Sequence, residues 1–446
     1  MSDLLSIGAS GVRAYQTALT TVSENIANTG VEGYSRRQVA LREVQVTGGL
    51  ASGGMTNGLG VSAAGIVRSS DVYAGEAVRA AASDVSRTEV GAKWLDGIED
   101  ALTGDRLSER LTGFFASSRA LGAEPASSAL RAGMLGAAES AAAAFTATGR
   151  AVDQVAADLD TNANQSARDL TQLAGTLAKI NLGLGRTQRD TAAAAQLSDQ
   201  RDQVLEQMSA LIDLKANFDA YGRATVRLGG RNGPVMVDAA RSGQLSYARA
   251  GGAVALTLSF GGEGGVVDPQ GGALAGIVDA AQRINDTRRQ LDAVATRFAT
   301  DVNGVQAAGQ DVNGVAGRPI FAANGSPTEL GVAMTDPSGI AAAGVGGGPR
   351  DGTNLNRFEA LRTATGAEAS ATALVTDNAT ALRQRLAIAD AQGAIRDGAV
   401  TARASLSGVD LDNEAVDLLR FQQAYQASSR VIQVARETFN SILEIR

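Results

Sequence analysis

"SENIANTGVEGYSRR", residues 23–37, is where a heptad pattern stops. Upstream of it Leu5, Val12, Leu19 and Ile26 recur every seventh residue, with Gly8, Tyr15 and Val22 between them at three-four spacing. That is an a/d seam on a helix. Asn28 and Gly30 both tolerate left-handed backbone, which is how helices end. Gly33 permits a second turn, and Tyr34, Arg36 and Arg37 then place an aromatic ring and two cations on what reads as an exposed loop.

The far end of the chain carries the same period. Leu411, Leu418, Tyr425, Ile432 and Phe439 are each seven apart, and Glu414, Phe421, Ser428, Ala435 and Ile442 occupy the second seam position. Two terminal helices with narrow apolar seams are expected to pair with each other or with neighbouring copies. Between them a helical signal dominates. Residues 127–214 carry Leu159, Leu170, Leu173, Leu177 and Ile180, then Leu197, Val204, Leu205, Met208, Leu211 and Ile212, with Gly183 and Gly185 suggesting a bend between two long helices. Further helices are expected over residues 274–308 and 367–405. After Leu211 the period changes to two, with Gly turns, so residues 213–269 read as hairpins.

The expected fold is therefore mainly α with a β insert: terminal helices pairing as a coiled coil, a long-helix bundle domain, and an outward-facing β-rich domain. The division is residues 1–72 plus 406–446 for the terminal region, 73–212 plus 270–310 plus 354–405 for the helical domain, 213–269 for the β insert, and 311–353 for an irregular stretch with short strands.

Composition excludes much. The chain has 446 residues, no Cys and no His. That removes disulfides, Cys or His zinc sites, Ser-His-Asp triads and Cys nucleophiles. A net charge of −7 argues against nucleic acid, whose phosphates need a basic surface. No apolar run is long enough to span a membrane. The N-terminus lacks the basic region, apolar core and cleavage site of a Sec signal peptide. "GGRNG" (residues 229–233), "GVGGGP" (344–349) and "DVNG" (311–314) match neither a phosphate loop nor a complete calcium loop and read as turns. "LSDQRDQVLEQ" (197–207) reads as a solvated helix face. No cofactor, metal or catalytic residue is expected.

"SENIANTGVEGYSRRQV" resembles the signature of bacterial flagellar axial proteins, which build rod, hook and hook-associated structures. The matching positions are Asn25, Ala27, Asn28, Thr29, Gly33, Tyr34, Ser35 and Arg36. The partner motif of that family is similar to residues 407–443, through Ser407, Gly408, Val409, Leu411, Asp412, Glu414, Gln422, Gln423, Ala424, Tyr425, Gln426 and Ala427, with Asn413 replacing the family's usual Glu. "LSDQRDQVLEQMSALIDL" and "GGALAGIVDA" are similar to the hook-associated branch at the hook–filament junction. The β stretch shows little likeness, and the chain is shorter than many relatives.

The resemblance implies a non-enzymatic structural subunit, exported by the flagellar type III apparatus without a cleaved signal peptide and placed outside the cell. Its implied partners are identical subunits, the flagellar hook protein, the second hook–filament junction protein, and a flagellar export chaperone at the C-terminus. The assembly interface would be Leu5, Val12, Tyr15, Leu19, Val22 and Ile26 on the N-terminal seam. On the C-terminal seam it would be Leu411, Leu418, Phe421, Tyr425, Ile432, Ala435, Phe439 and Ile442. The signature loop would touch a neighbouring subunit. With Gly8 and Gly11 in the first helix and no partner for the basic loop, both ends are expected to be largely unordered in the free chain. The alternative within the family is a hook or distal-rod subunit, whose middle would be mostly β. An axial enzyme of the carboxylate glycosidase type would need two convergent carboxylates, and no segment suggests them.

Overall fold

The longest element is a single helix, α4 (Ser128–Arg186), of 59 residues. At about 1.5 Å per residue it is roughly 90 Å long. Ser127 caps its start by accepting from the Leu130 N–H at 3.4 Å. It runs straight through Gly183 and Gly185, so the bend expected there falls later, at residues 187–191. The next helix, α5 (Ala192–Leu211), begins where Thr191 accepts from the Ala194 N–H.

The computed structural model describes residues 2–44, 60–230, 232–364 and 366–444. Part of the expected terminal region, residues 45–59, and the Ile442 side chain lie outside the described residues. The remaining helices are α1 (Ser2–Ala27), α2 (Val72–Thr103), α3 (Leu107–Ala123), α6 (Gly272–Ala307), α7 (Asn356–Ala364), α8 (Ala367–Ser407) and α9 (Leu411–Glu444). The strands are short and antiparallel. β1 (Arg37–Glu43) pairs with β2 (Val61–Arg68). β3 (Leu214–Phe218), β4 (Ala224–Leu228), β5 (Val235–Asp238) and β6 (Arg241–Ser242) form a sheet in chain order. β7 (Gln244–Ala250), β8 (Ala253–Phe260) and β9 (Glu263–Val267) form a second. β10 (Phe321–Ala323) and β11 (Leu330–Val332) make a hairpin. The chain is thus mostly helical with small antiparallel sheets.

One apolar core links α2, α3, α4, α5, α6 and the start of α8. At one end it is aromatic. Phe114 meets Phe298 edge to face at 5.3 Å and Phe358 at 5.7 Å, with Phe115, Phe145 and Phe321 around them. In a chain with 10 Phe, this cluster uses more than half. The β insert joins the same core through an alternating strand, in which Ala224, Val226 and Leu228 are fully buried. Two polar clamps fix the sheets on α4. The Asn181 side chain accepts from Ala224 N–H at 2.8 Å and donates to the Ala224 and Ala239 carbonyls. Asp160 accepts from Tyr247 Oη at 2.6 Å and from Arg249 Nε at 2.7 Å.

α1 and α9 lie antiparallel, apart from that core. Gly8 faces Ser428 and Ile432, Gly11 faces Ser428, and the Tyr15 and Phe421 rings are 6.3 Å apart. A Cβ at Gly8 would sit 2.6 Å from Ile432 Cγ1, and one at Gly11 would sit 2.5 Å from Ser428 Oγ. The glycines permit a close approach of the two backbones. On α1 the buried line is therefore Gly8, Gly11, Ala14, Ala18, Val22 and Asn25. Leu5, Val12, Tyr15, Leu19 and Ile26 are partly buried. On α9 Ala435 is buried, and Leu418, Phe421, Tyr425 and Ile432 are partly buried. Leu411 and Phe439, expected on the seam, are 51% and 49% exposed. The pairing runs out at both ends: Leu411 lies past the point where α1 stops, and Phe439 lies beyond its first turn.

Candidate functional site where the first helix ends

Asn25 is the hub of this region. It is fully buried in the last turns of α1. Its Oδ1 accepts from Tyr34 Oη at 2.9 Å and from the Arg37 N–H at 3.0 Å. Its Nδ2 donates to the Arg37 carbonyl at 2.8 Å and to Glu414 Oε2 at 3.0 Å. Both acceptor sites and both donors of one amide are used, which fixes the loop, β1 and α9 against one another. The turn that allows this follows from Asn28, whose Nδ2 donates to the Glu24 carbonyl at 2.7 Å, and from Gly30 and Gly33, both at φ +78°.

Glu414 is the second hub. It is fully buried, accepts from Asn25, and is paired with Arg36 Nε. Arg36 also reaches Asp417 at 3.3 Å, and its N–H donates to the Ser407 carbonyl at 2.8 Å. Arg37 stacks on the Tyr34 ring, 4.9 Å from its centre, and donates to Asp199 at 3.2 Å. Arg68 of β2 pairs with both Asp199 and Asp202. Arg201 binds Asp202 at 2.6 Å and stacks on the Phe218 ring at 4.2 Å. Arg403 of α8 pairs with Glu206. Burial raises the Asp199 carboxyl above the usual range, against the pull of Arg68 and Arg37. Burial acts in the same direction on Asp202, but Arg201 and Arg68 outweigh it and hold that carboxyl below its ordinary value. Burial also raises the Tyr34 phenol.

Two sequence expectations change here. The Tyr34–Arg36–Arg37 loop is not an exposed basic surface, because its cations turn inward onto Glu414, Asp417 and Asp199 of the same chain. Likewise, residues 197–207 are not a plain solvated face: Asp199 and Arg201 are 7% and 8% exposed. Of the signature residues, Asn25, Tyr34 and Arg36 meet in the network, while Ala27 and Thr29 remain exposed. Sequence reading missed Arg68, Asp199 and Asp202 as its other members, and it read Arg37 only as an exposed loop cation and Glu414 only as a seam and motif position. The available signal was the spacing of Asp199, Asp202 and Glu206, three carboxylates on one face of α5.

Chemically the network holds chain segments together. Its carboxylates are occupied by arginines. Among the described residues no cluster of three or more His, Cys, Asp or Glu is placed to hold a metal ion, and no helix is long and apolar enough to cross a membrane.

Comparison with known proteins gives consistent likenesses. The family model described as the flagellar hook-associated protein FlgK helical domain matches residues 95–321. A second, the flagellar basal body rod FlgEFG protein C-terminal, matches residues 402–445. The chain is 27% identical to flagellar hook-associated protein 1 of Escherichia coli, over 77% of this chain and 66% of that protein. It is 29% identical to the protein of the same name from Salmonella typhimurium, over 73% of this chain and 60% of that one. The Bacillus subtilis protein of that name is 23% identical over 96% of this chain and 95% of its own length. The chain thus spans less than two thirds of the two enteric relatives. In fold it is similar to the flagellar hook junction protein FlgK from Burkholderia pseudomallei, with a TM-score of 0.50 and 20% identity, covering 56% of this chain and 47% of that one.

Proposed function

The chain belongs to the family of the flagellar hook-associated protein FlgK helical domain, and from that premise we propose that it is a structural, non-enzymatic subunit of the junction between flagellar hook and filament. The observation that carries the reading is the pairing of a FlgK-type helical middle with terminal helices joined through Asn25, Arg36 and Glu414. The helical middle favours a junction subunit over a hook or distal-rod protein. In this reading α1 and α9 pair as a coiled coil lining the inner channel, the long helices form the bundle domain, and the β insert points outward. Exposed apolar side chains on the outer face of α9, Val416, Leu419 and Val434 at 66%, 58% and 59%, are available for contact with other copies.

The other partners are the hook protein beneath, the second junction protein above, and an export chaperone that receives the C-terminal helix before assembly. The protein leaves the cell through the flagellar export apparatus without cleavage and resides in the flagellum. Supplying the gene to a motile bacterium that lacks its own junction protein tests this. Restored filaments and swimming are the expected result. Intact hooks that still shed filament subunits into the medium would reject the reading.

A further inference from the structure

Among the described residues, no apolar side chain between Val22 and Val78, or between Leu374 and Ala435, is fully buried. The chain therefore has two separate apolar interiors. One is the small α1–α9 seam around Ala14, Ala18, Val22 and Ala435. The other is the large core whose first member is Trp94. What lies between them is charge. α5 offers Asp199 and Asp202, which are gripped from the other part by Arg37 of β1 and Arg68 of β2, while Arg403 of α8 pairs with Glu206 beside them. Among the described residues the other ties are few: Ile66 N–H donates to the Asp190 carbonyl at 2.7 Å, Arg36 N–H to the Ser407 carbonyl at 2.8 Å, and the Gln203 side chain to the Glu32 carbonyl at 2.7 Å. Among the described residues, the chain passes between the two parts through two short non-helical stretches, residues 69–71 and 408–410.

We propose that this ion-pair joint on α5 is a hinge, about which the α1–α9 pair and the β1–β2 ribbon swing as one body against the helical core. An apolar interface cannot slide without opening cavities, whereas shared arginine–carboxylate pairs can pass from one partner to the next without leaving a buried charge unpaired. The joint has the composition for exchange: Asp199 is shared by Arg37 and Arg68, and Asp202 by Arg68 and Arg201. Salt need not penetrate the closed pairs to act. It stabilises the separated charges of the swung state, because the Debye length falls from about 8 Å at physiological ionic strength to about 3 Å at 1 M. High salt strengthens apolar contacts, so the two kinds of interface respond in opposite directions. In a tube of such subunits, the hinge would let the inner helices hold one packing while the outer bundles follow another curvature.

The absence of Cys makes the test direct. Gln423→Cys on the exposed face of α9 and Ser140→Cys on the exposed face of α4 carry spin labels in the dilute full-length chain. Double electron–electron resonance then reads the distance between the two bodies. In low salt one narrow distance is expected. At 1 M salt the distribution should broaden and its mean shift. Asp199→Asn, which removes the carboxylate shared by Arg37 and Arg68, should reproduce that broadening in low salt while the melting temperature of the helical core stays unchanged. Should that variant fail to fold, the joint is part of the core and the proposal falls. Arg37→Gln, which releases Asp199 from the β1 side of the joint, must also broaden the distribution. A distance equally narrow in high salt and in Arg37→Gln overturns the hinge.

Discussion

Glu414→Ala is the sharpest perturbation of the region where α1 ends. The carboxylate is fully buried and holds both Asn25 Nδ2 and Arg36 Nε. Removing one partner of a fully buried pair costs about 3–5 kcal/mol, since the other charge is stranded. Arg36 is 21% exposed and keeps Asp417 at 3.3 Å, so it recovers part of its hydration and one ion pair. Asn25 loses one of its four hydrogen bonds. The expected loss is therefore about 2–3 kcal/mol, in the range for charged hydrogen bonds. It should fall on local opening of the α1–α9 pair rather than on global unfolding, because the two apolar interiors are separate. At about 1.4 kcal/mol per tenfold, protection of amides in residues 18–27 and 411–421 should drop roughly 30- to 150-fold. Native-state hydrogen exchange reads this directly. Glu414→Gln, which keeps the shape and one acceptor, should lose less. Unchanged protection in Glu414→Ala, or an equal fall across α4 and α6, would refute the reasoning.

In the free chain, exchange protection should fade along the terminal pair, strongest near Asn25 and Glu414 and weakest toward Gly8 and Ile432, where small residues bury little area; uniform protection over both helices would contradict this. Gly8→Ala should destabilise the pair by about 1–3 kcal/mol through overpacking against Ile432 despite better helix propensity, and Ile432→Ala should rescue it in a double-mutant cycle; independent effects would rule out the close approach. Asp160 is held below the ordinary carboxylate range, chiefly by its hydrogen bond to Arg249 and against burial. A depressed carboxyl contributes stability that is full above its unfolded value and is lost as pH falls through the folded value. Acid should therefore loosen the β7–β9 sheet from α4 below about pH 4, seen as exchange of β7 amides, and Asp160→Asn should abolish that dependence. A fragment of residues 406–446 should retain chaperone binding, and a chain lacking it should not; equal affinity of the two would exclude that partner surface.

Much of the fold is legible in periodicity. The heptads at both ends, the long Leu and Ala rows of α4 and α6, and the change to alternation after Leu211 each report a local pattern that one face of one element must satisfy. The turn at residues 187–191 was misplaced onto Gly183 and Gly185 because helices tolerate glycine where nothing forces a break. The Phe114–Phe298–Phe358 cluster was invisible, since its members come from three helices far apart in the chain. The network was half legible. Asn25, Tyr34 and Arg36 stand in a recognisable run. Their partners Glu414 and Asp199 look like any surface carboxylates, and only tertiary structure buries them. That burial also removes the argument that the basic loop leaves the free chain without a partner. The line Gly8–Gly11–Ala14–Ala18 was obscured for a different reason: close backbone packing selects small residues, which a search for large apolar positions passes over.

The central claim is that this chain is a subunit of the junction between hook and filament. Purified protein added to isolated hooks that lack filaments, viewed by electron microscopy, tests it most directly. The account predicts density at the distal hook tip alone, lost when residues 1–40 and 407–446 are removed. No binding, or decoration along the shaft that survives that removal, would contradict it.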